Sequence, residues 1–198
     1  MPVWTKEQQQ AIELDNTNII VSAGAGSGKT AVLSERVIRK LKSNVNINEL
    51  LILTFTKAAA DEMKERITGL VGETAKDIWM GTFHSICVRI LRKHIEQIGY
   101  DSSFIIFDTS DQKSLIKKCL KELQIDDKQF SEKSVQAEIS NAKNEMLEPE
   151  QYAFKAHGDF RREKIATVYE LYQKRLKENN AIDFDDIINF TIKIFNEQ

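Results

Sequence analysis

A chain of 198 residues, 41% hydrophobic and 29% charged with a formal net charge of −2, can bury a core without staples and is too balanced to be disordered, fibrous or globally basic. Any contact with nucleic acid must then come from a local patch. The two cysteines, Cys87 and Cys119, lack CxxC spacing, which excludes a disulfide framework or zinc site and fits a reducing cytoplasm.

Met1 to Glu7 lacks a basic segment followed by an apolar run, and no stretch approaches 18 consecutive apolar residues, so neither export nor a membrane span is expected. With 2 Pro and 8 Gly, three of the latter in one loop, the chain should be mostly helical. Residues 18–23, Asn-Ile-Ile-Val-Ser-Ala, form a β-branched run that enters a Gly-rich loop. Val32, Leu33, Val37, Ile38 and Leu41 then repeat at helical spacing over 29–42. Residues 49–55 run apolar without alternation, as in a parallel strand covered on both faces. A helix over 57–68, a short strand over 78–82 and a helix over 84–98 follow. This alternation predicts a doubly wound α/β core.

Beyond Gly99, after an apolar piece at 104–107, the spacing turns helical and the caps are visible. Asp108 or Ser110 starts a helix to Gln124, Ser131 one to Met146, Pro149 sits at a first helical position, and Phe160 to Asn179 is longer. Asp183 caps a last helix. Residues 100–180 therefore read as a helical insertion.

The segment Ala23-Gly24-Ala25-Gly26-Ser27-Gly28-Lys29-Thr30, between a strand-like run and a helix, is a P-loop. Its glycines let successive N–H groups turn toward phosphate oxygens, and the helix N-terminus adds partial positive charge. Lys29 is placed to reach the β and γ phosphates of ATP, and the Thr30 hydroxyl to ligate Mg²⁺. P-loops serve kinases, GTPases and motors alike, so other segments must choose.

Trp4 to Ile12, shortly before the P-loop, resembles the Q motif of superfamily 1A DNA helicases of the UvrD, Rep and PcrA type, with Gln8 at the adenine-reading position. Thr54-Phe55-Thr56-Lys57-Ala58 resembles motif Ia of that family, and Gly81-Thr82-Phe83-His84-Ser85 the next DNA-contacting motif. On the residues alone Phe55 and Phe83 read as core aromatics and His84 as a helix start. The resemblance instead implies that the two rings stack on bases while Thr54, Thr56, Thr82 and Ser85 hold phosphates. Phe107 to Gln112, Ser140 to Glu145 and Ile182 to Asp186 also look like family segments, so the resemblance covers essentially the whole chain.

The resemblance implies an α/β fold in which a RecA-like parallel sheet, an incomplete domain 1A at residues 1–99 and 181–198, is interrupted by a helical domain 1B at 100–180. It further implies an ATP- and Mg²⁺-dependent helicase or translocase of 3′–5′ polarity, of the DNA-repair kind. Its partners would be single-stranded DNA and a duplex junction, with Lys113, Lys117, Lys118 and Lys121 as a basic face toward duplex. Ala31, where UvrD and PcrA relatives carry arginine, predicts a weaker base contact. Lys57-Ala58 in motif Ia resembles the AddA type, leaving open a helicase–nuclease subunit or a nucleotide-gated DNA-binding module. The sequence stops before the Walker B carboxylates and the second motor domain, so the chain alone is expected to hydrolyse ATP hardly at all.

Overall fold

The computed structural model describes residues 3–15, 17–43, 45–72 and 77–196. The architecture is mixed α/β, dominated by helices, with short parallel strands. The chain separates into two compact units, Met1–Ile86 and Cys87–Gln198.

The first unit contains α1 (Lys6–Glu13), α2 (Lys29–Lys42), β1 (Leu51–Thr54), α3 (Lys57–Val71) and β2 (Trp79–Thr82); α4 (Phe83–His94) begins at its end. Thr5 caps α1 in a reciprocal capping box with Gln8, and Thr56 caps α3 by accepting from the Ala59 amide. The apolar faces meet in one cluster: Val37 and Ile38 from α2, Ile52 from β1, Met63 and Ile67 from α3, and Ile78. Removing each such side chain from water contributes about 1.5–3 kcal/mol.

β1 and β2 pair in parallel, with Thr54 opposite Thr82. The expected strand at 18–23 does not form among the described residues: the segment belongs to no ladder, Ile20 is 97% exposed, and Val21 is also exposed. A β-branched run favours the extended form but becomes a strand only by pairing, and no neighbour pairs with it here. The run at 49–55 is likewise shorter than its apolarity suggested. Residues Ile47–Glu49 form a 3₁₀ turn, Leu51 is exposed, and Phe55 projects from the end of β1.

The second unit contains a 3₁₀ turn (Ile95–Ile98), β3 (Ile105–Ile106), α5 (Thr109–Glu122), α6 (Glu132–Asn144), α7 (Pro149–Ala156), α8 (Phe160–Glu178), β4 (Ala181–Ile182) and α9 (Phe184–Asn196). The expected caps are in place: Asp108 on α5, Ser131 on α6, Pro149 at the start of α7, and the Asp183 carboxylate accepting from the Asp186 amide at α9. Two cores lie in this unit. One gathers α5 to α8, including Ile116, Leu120, Val135, Ile165, Tyr172 and Leu176. The other joins Leu91, Ile95, Tyr100 and Phe104 to Ile182, Ile187, Phe190 and Ile194. Residues flanking the long helical stretch therefore pack with each other, apart from most of it.

A buried ionic cluster fastens the return of the chain. The Lys143 ammonium donates to Asp183 at 2.6 Å and Asp186 at 2.7 Å, and all three side chains are almost fully buried. Tyr172 donates its hydroxyl to Asp183 at 3.0 Å, and the Gln173 amide donates to Asp186. Burial pushes the Asp186 carboxyl up to about 6 against the pull of the Lys143 charge, with the Asp183 charge adding to the rise. Asp183 feels the same burial, but the Lys143 charge and its bonds to Lys143, Tyr172 and the Asp186 amide hold it below its ordinary value. Each carboxylate accepts from Lys143 and from the other's backbone amide, so the two diverge because Asp183 adds the Tyr172 hydroxyl while Asp186 bears the burial and the neighbouring Asp183 charge.

Candidate nucleotide and nucleic-acid interface

The P-loop leaves the extended segment, turns at Gly24–Ser27 and enters α2. Gly26 and Gly28 hold φ of 74° and 79°, the left-handed region where a Cβ is costly. Gly28 is the N-cap of α2 and supplies no side-chain bond, so the first N–H groups of this helix meet no capping side chain. Inside the loop the Ser27 hydroxyl donates to the Gly24 carbonyl at 2.8 Å. The Lys29 ammonium donates to the carbonyls of Ala23 at 3.0 Å and Gly24 at 2.7 Å. Lys29 and Thr30 thus sit at the helix start where the sequence places them, and Ala25 lies on the exposed turn.

Gln8 lies against this loop. Its carbonyl accepts from the Thr5 amide at 2.9 Å, and its amide donates to the Ser27 carbonyl at 3.1 Å. One lone pair and one N–H remain on the carboxamide, now fixed in orientation. Together with Thr5, Ser27, Lys29, Val32 and Leu33, Gln8 borders an open cleft of about 680 Å³, within the range of small-molecule sites. Thr5 carries a local signal that went unread, the Thr-x-x-Gln spacing of a capping box. Arg36, which also lines the cleft, carries no sequence signal of its role, because its partners are backbone carbonyls of α1.

The second group gathers where β1 and β2 end. Because the parallel register aligns Thr54 with Thr82, the next residues leave the sheet side by side. Phe55 and Phe83 have ring centroids 5.6 Å apart at 42°. Phe55 is 93% exposed and Phe83 42%, which rules out the core-aromatic alternative for both. The threonines are engaged locally. Buried Thr54 donates to the Thr56 carbonyl at 3.0 Å, and Thr82 accepts from the Ser85 amide at 3.2 Å, so both shape the turns that present the rings. Thr56 is exposed, and His84 is half-buried in the first turn of α4. Gly81 is buried, and a Cβ there would stand 2.4 Å from the Ser85 hydroxyl, which would have to rotate away from the Thr82 carbonyl it bonds.

Among the described residues, no cluster of three or more His, Cys, Asp or Glu could hold a metal ion, and no helix is long and apolar enough to cross a membrane.

The sequence profile of the UvrD/REP helicase N-terminal domain matches residues 4–198. The chain is 46% identical over 189 residues to the ATP-dependent DNA helicase PcrA of Bacillus subtilis strain 168, covering 95% of this chain and 25% of that protein. It is 47% identical over 190 residues to the PcrA helicase of a Staphylococcus epidermidis strain and 46% to that of a Staphylococcus aureus strain, with 96% of the chain and 26% of each relative covered. The chain therefore spans about a quarter of the length of the curated relatives it matches, and it belongs to the UvrD/REP helicase N-terminal domain family.

Proposed function

We propose that this chain is the nucleotide- and single-strand-binding part of an ATP-dependent DNA helicase or translocase acting in the cytoplasm. The observation that carries the reading is that one compact unit holds both the P-loop cleft with Gln8 and an exposed aromatic pair at the ends of two parallel strands. The relatives are named ATP-dependent DNA helicases, which supports assigning ATP to the cleft and DNA to the rings. The residues fit the nucleotide: left-handed glycines, an uncapped helix N-terminus and a fixed carboxamide suit a triphosphate and an adenine edge. Lys29 would leave the Ala23 and Gly24 carbonyls for the β and γ phosphates, and Thr30 would hold Mg²⁺. The ion, when bound, neutralises phosphate charge.

In this reading, residues 1–99 and 181–198 form a partial RecA-like domain 1A and residues 100–180 form domain 1B. The packing of Leu91 and Ile95 with Ile182, Ile187, Phe190 and Ile194 supports grouping the segments on either side of 100–180, although Tyr100 and Phe104 share the same core. Single-stranded DNA would stack on Phe55 and Phe83. The exposed lysines of α5, Lys117, Lys118 and Lys121, would face duplex at a junction.

The test is Mg²⁺–ATP binding by calorimetry. Lys29→Ala is expected to weaken it about tenfold, through loss of charge-assisted bonds, with helical circular dichroism unchanged. Equal affinity in the variant would sink the assignment. Gly28→Ala forces a Cβ into left-handed backbone and to within 3.3 Å of the Gln8 amide nitrogen. It is expected to lower unfolding free energy by about 1 kcal/mol and to weaken ATP binding in the same titration.

A further inference from the structure

Gln8 rides on α1, a helix of eight residues, and a helix that short is held in place by tertiary contacts and not by its own propensity. Its far end is held from α2. The Arg36 guanidinium donates to the carbonyl of Ala11 at 2.9 Å and, more distantly, to that of Ile12 at 3.5 Å, and lies 3.9 Å from the Asp15 carboxylate. Ala11 and Ile12 stand in the last turn of α1, whose carbonyls have no intrahelical partner and carry the negative end of the helix dipole. Two further pairs join the same elements: Arg39 with Glu13 at 3.4 Å, and Lys40 with Asp15 at 2.5 Å. The Arg39–Glu13 pair is about half exposed on both sides and contributes little. Arg36 is better shielded, with 23% of its side chain exposed, and bonds directly to backbone.

We infer that Arg36 is a positioning residue for nucleobase selection: through its bonds to the backbone of α1 it locks that helix onto the one that begins at the phosphate loop and so holds the Gln8 carboxamide in register with a base. The inference rests on the cleft being an ATP site. α2 carries the phosphate-binding residues at its start and Arg36 about 10 Å further along, at 1.5 Å per residue. One rigid element therefore sets the distance between phosphate grip and base reader. Hydrogen bonds from Gln8 to a base are lost when α1 shifts by about an ångström, whereas Lys29 belongs to α2 and is tied to the Ala23 and Gly24 carbonyls of the loop. Lysine at position 36 would supply the charge but not the planar fork that reaches two carbonyls and a carboxylate.

The experiment titrates the chain with Mg²⁺–ATP and, separately, with inorganic tripolyphosphate, which has no base. Wild type is expected to prefer ATP. Arg36→Ala should cut that preference about fivefold with tripolyphosphate affinity unchanged, Gln8→Ala about tenfold, and the double variant no further than Gln8→Ala alone, since two substitutions acting through one group are non-additive. Arg36→Lys should restore part of the loss. A general loosening of the fold would instead lower both affinities together. An unchanged preference in Arg36→Ala, or losses that add in the double variant, overturns the inference while leaving the ATP site standing. Absence of any ATP preference in wild type overturns Gln8 as base reader and Arg36 with it. Should Arg36→Ala lose helical dichroism, Arg36→Lys carries the test: about a twofold drop in preference is expected, and no drop overturns the proposal.

Discussion

Lys143→Met is expected to lower the unfolding free energy by about 3–5 kcal/mol near neutral pH, because it leaves two buried carboxylates without their cation. Methionine fills most of the lysine volume, so the loss reflects charge and not a cavity. The pH dependence separates this cause from others. In wild type, Asp183 is held below its unfolded value, so its contribution is present above that value and lost as pH falls through the depressed one. Asp186, raised to about 6, works oppositely: its contribution is complete below the unfolded value near 4 and is lost as pH rises through 6. Lys143 is raised, since the charges of Asp186 and Asp183 outweigh the burial that lowers it. Its contribution holds below 10.5 and fades only above that.

Without the ammonium, burial and mutual repulsion raise both carboxyls. The variant should then gain stability steadily from pH 8 down to about 5, where protonation relieves the orphaned charges. Urea unfolding followed by circular dichroism at several pH values measures this. A deficit below about 1 kcal/mol, or one that does not change with pH, would show that the triad does not fasten α6 to α9 as described.

The same cluster marks the limit of what the residues disclose one by one. Asp183 was readable as a cap because capping is local, and it does accept the Asp186 amide. Its second role depends on Lys143, forty residues earlier, and no periodicity links two positions so far apart. Helices were legible for the same local reason: Asp108, Ser131 and Pro149 each announce a start within one turn. Strands were less so. Ala181–Ile182 is too short to signal itself and exists only because Ile105–Ile106 lies beside it, while the more strand-like residues 18–23 find no partner. At the site, the P-loop was legible because glycine positions and the following helix are local chemistry. The orientation of Gln8 was not, since it is set jointly by Thr5, Ser27 and, across two helices, Arg36. Phe55 was joined to the buried run before it, although strand burial ends at Thr54 and the next side chain leaves the sheet.

Replacing both Phe55 and Phe83 by alanine is expected to weaken binding of a short single-stranded DNA roughly a hundredfold, with each single substitution giving about tenfold, because each base stacked on a ring contributes about 1–3 kcal/mol. The ring centroids lie 5.6 Å apart, and a double loss smaller than the product of the single losses would report coupling between the rings. Their exposure makes the test clean: side chains 93% and 42% exposed contribute little to the core, and thermal unfolding should shift little. Anisotropy of a labelled oligothymidylate at several salt concentrations distinguishes stacking from charge. Phosphate contacts set the slope of log affinity against log salt, whereas stacking moves the line without tilting it. The double variant should therefore lie parallel to wild type and below it, and Phe→Trp at either position should recover binding. Unchanged affinity, or a flattened slope at equal loss, would mean that the strand is held by basic groups elsewhere and that the aromatic pair serves another surface.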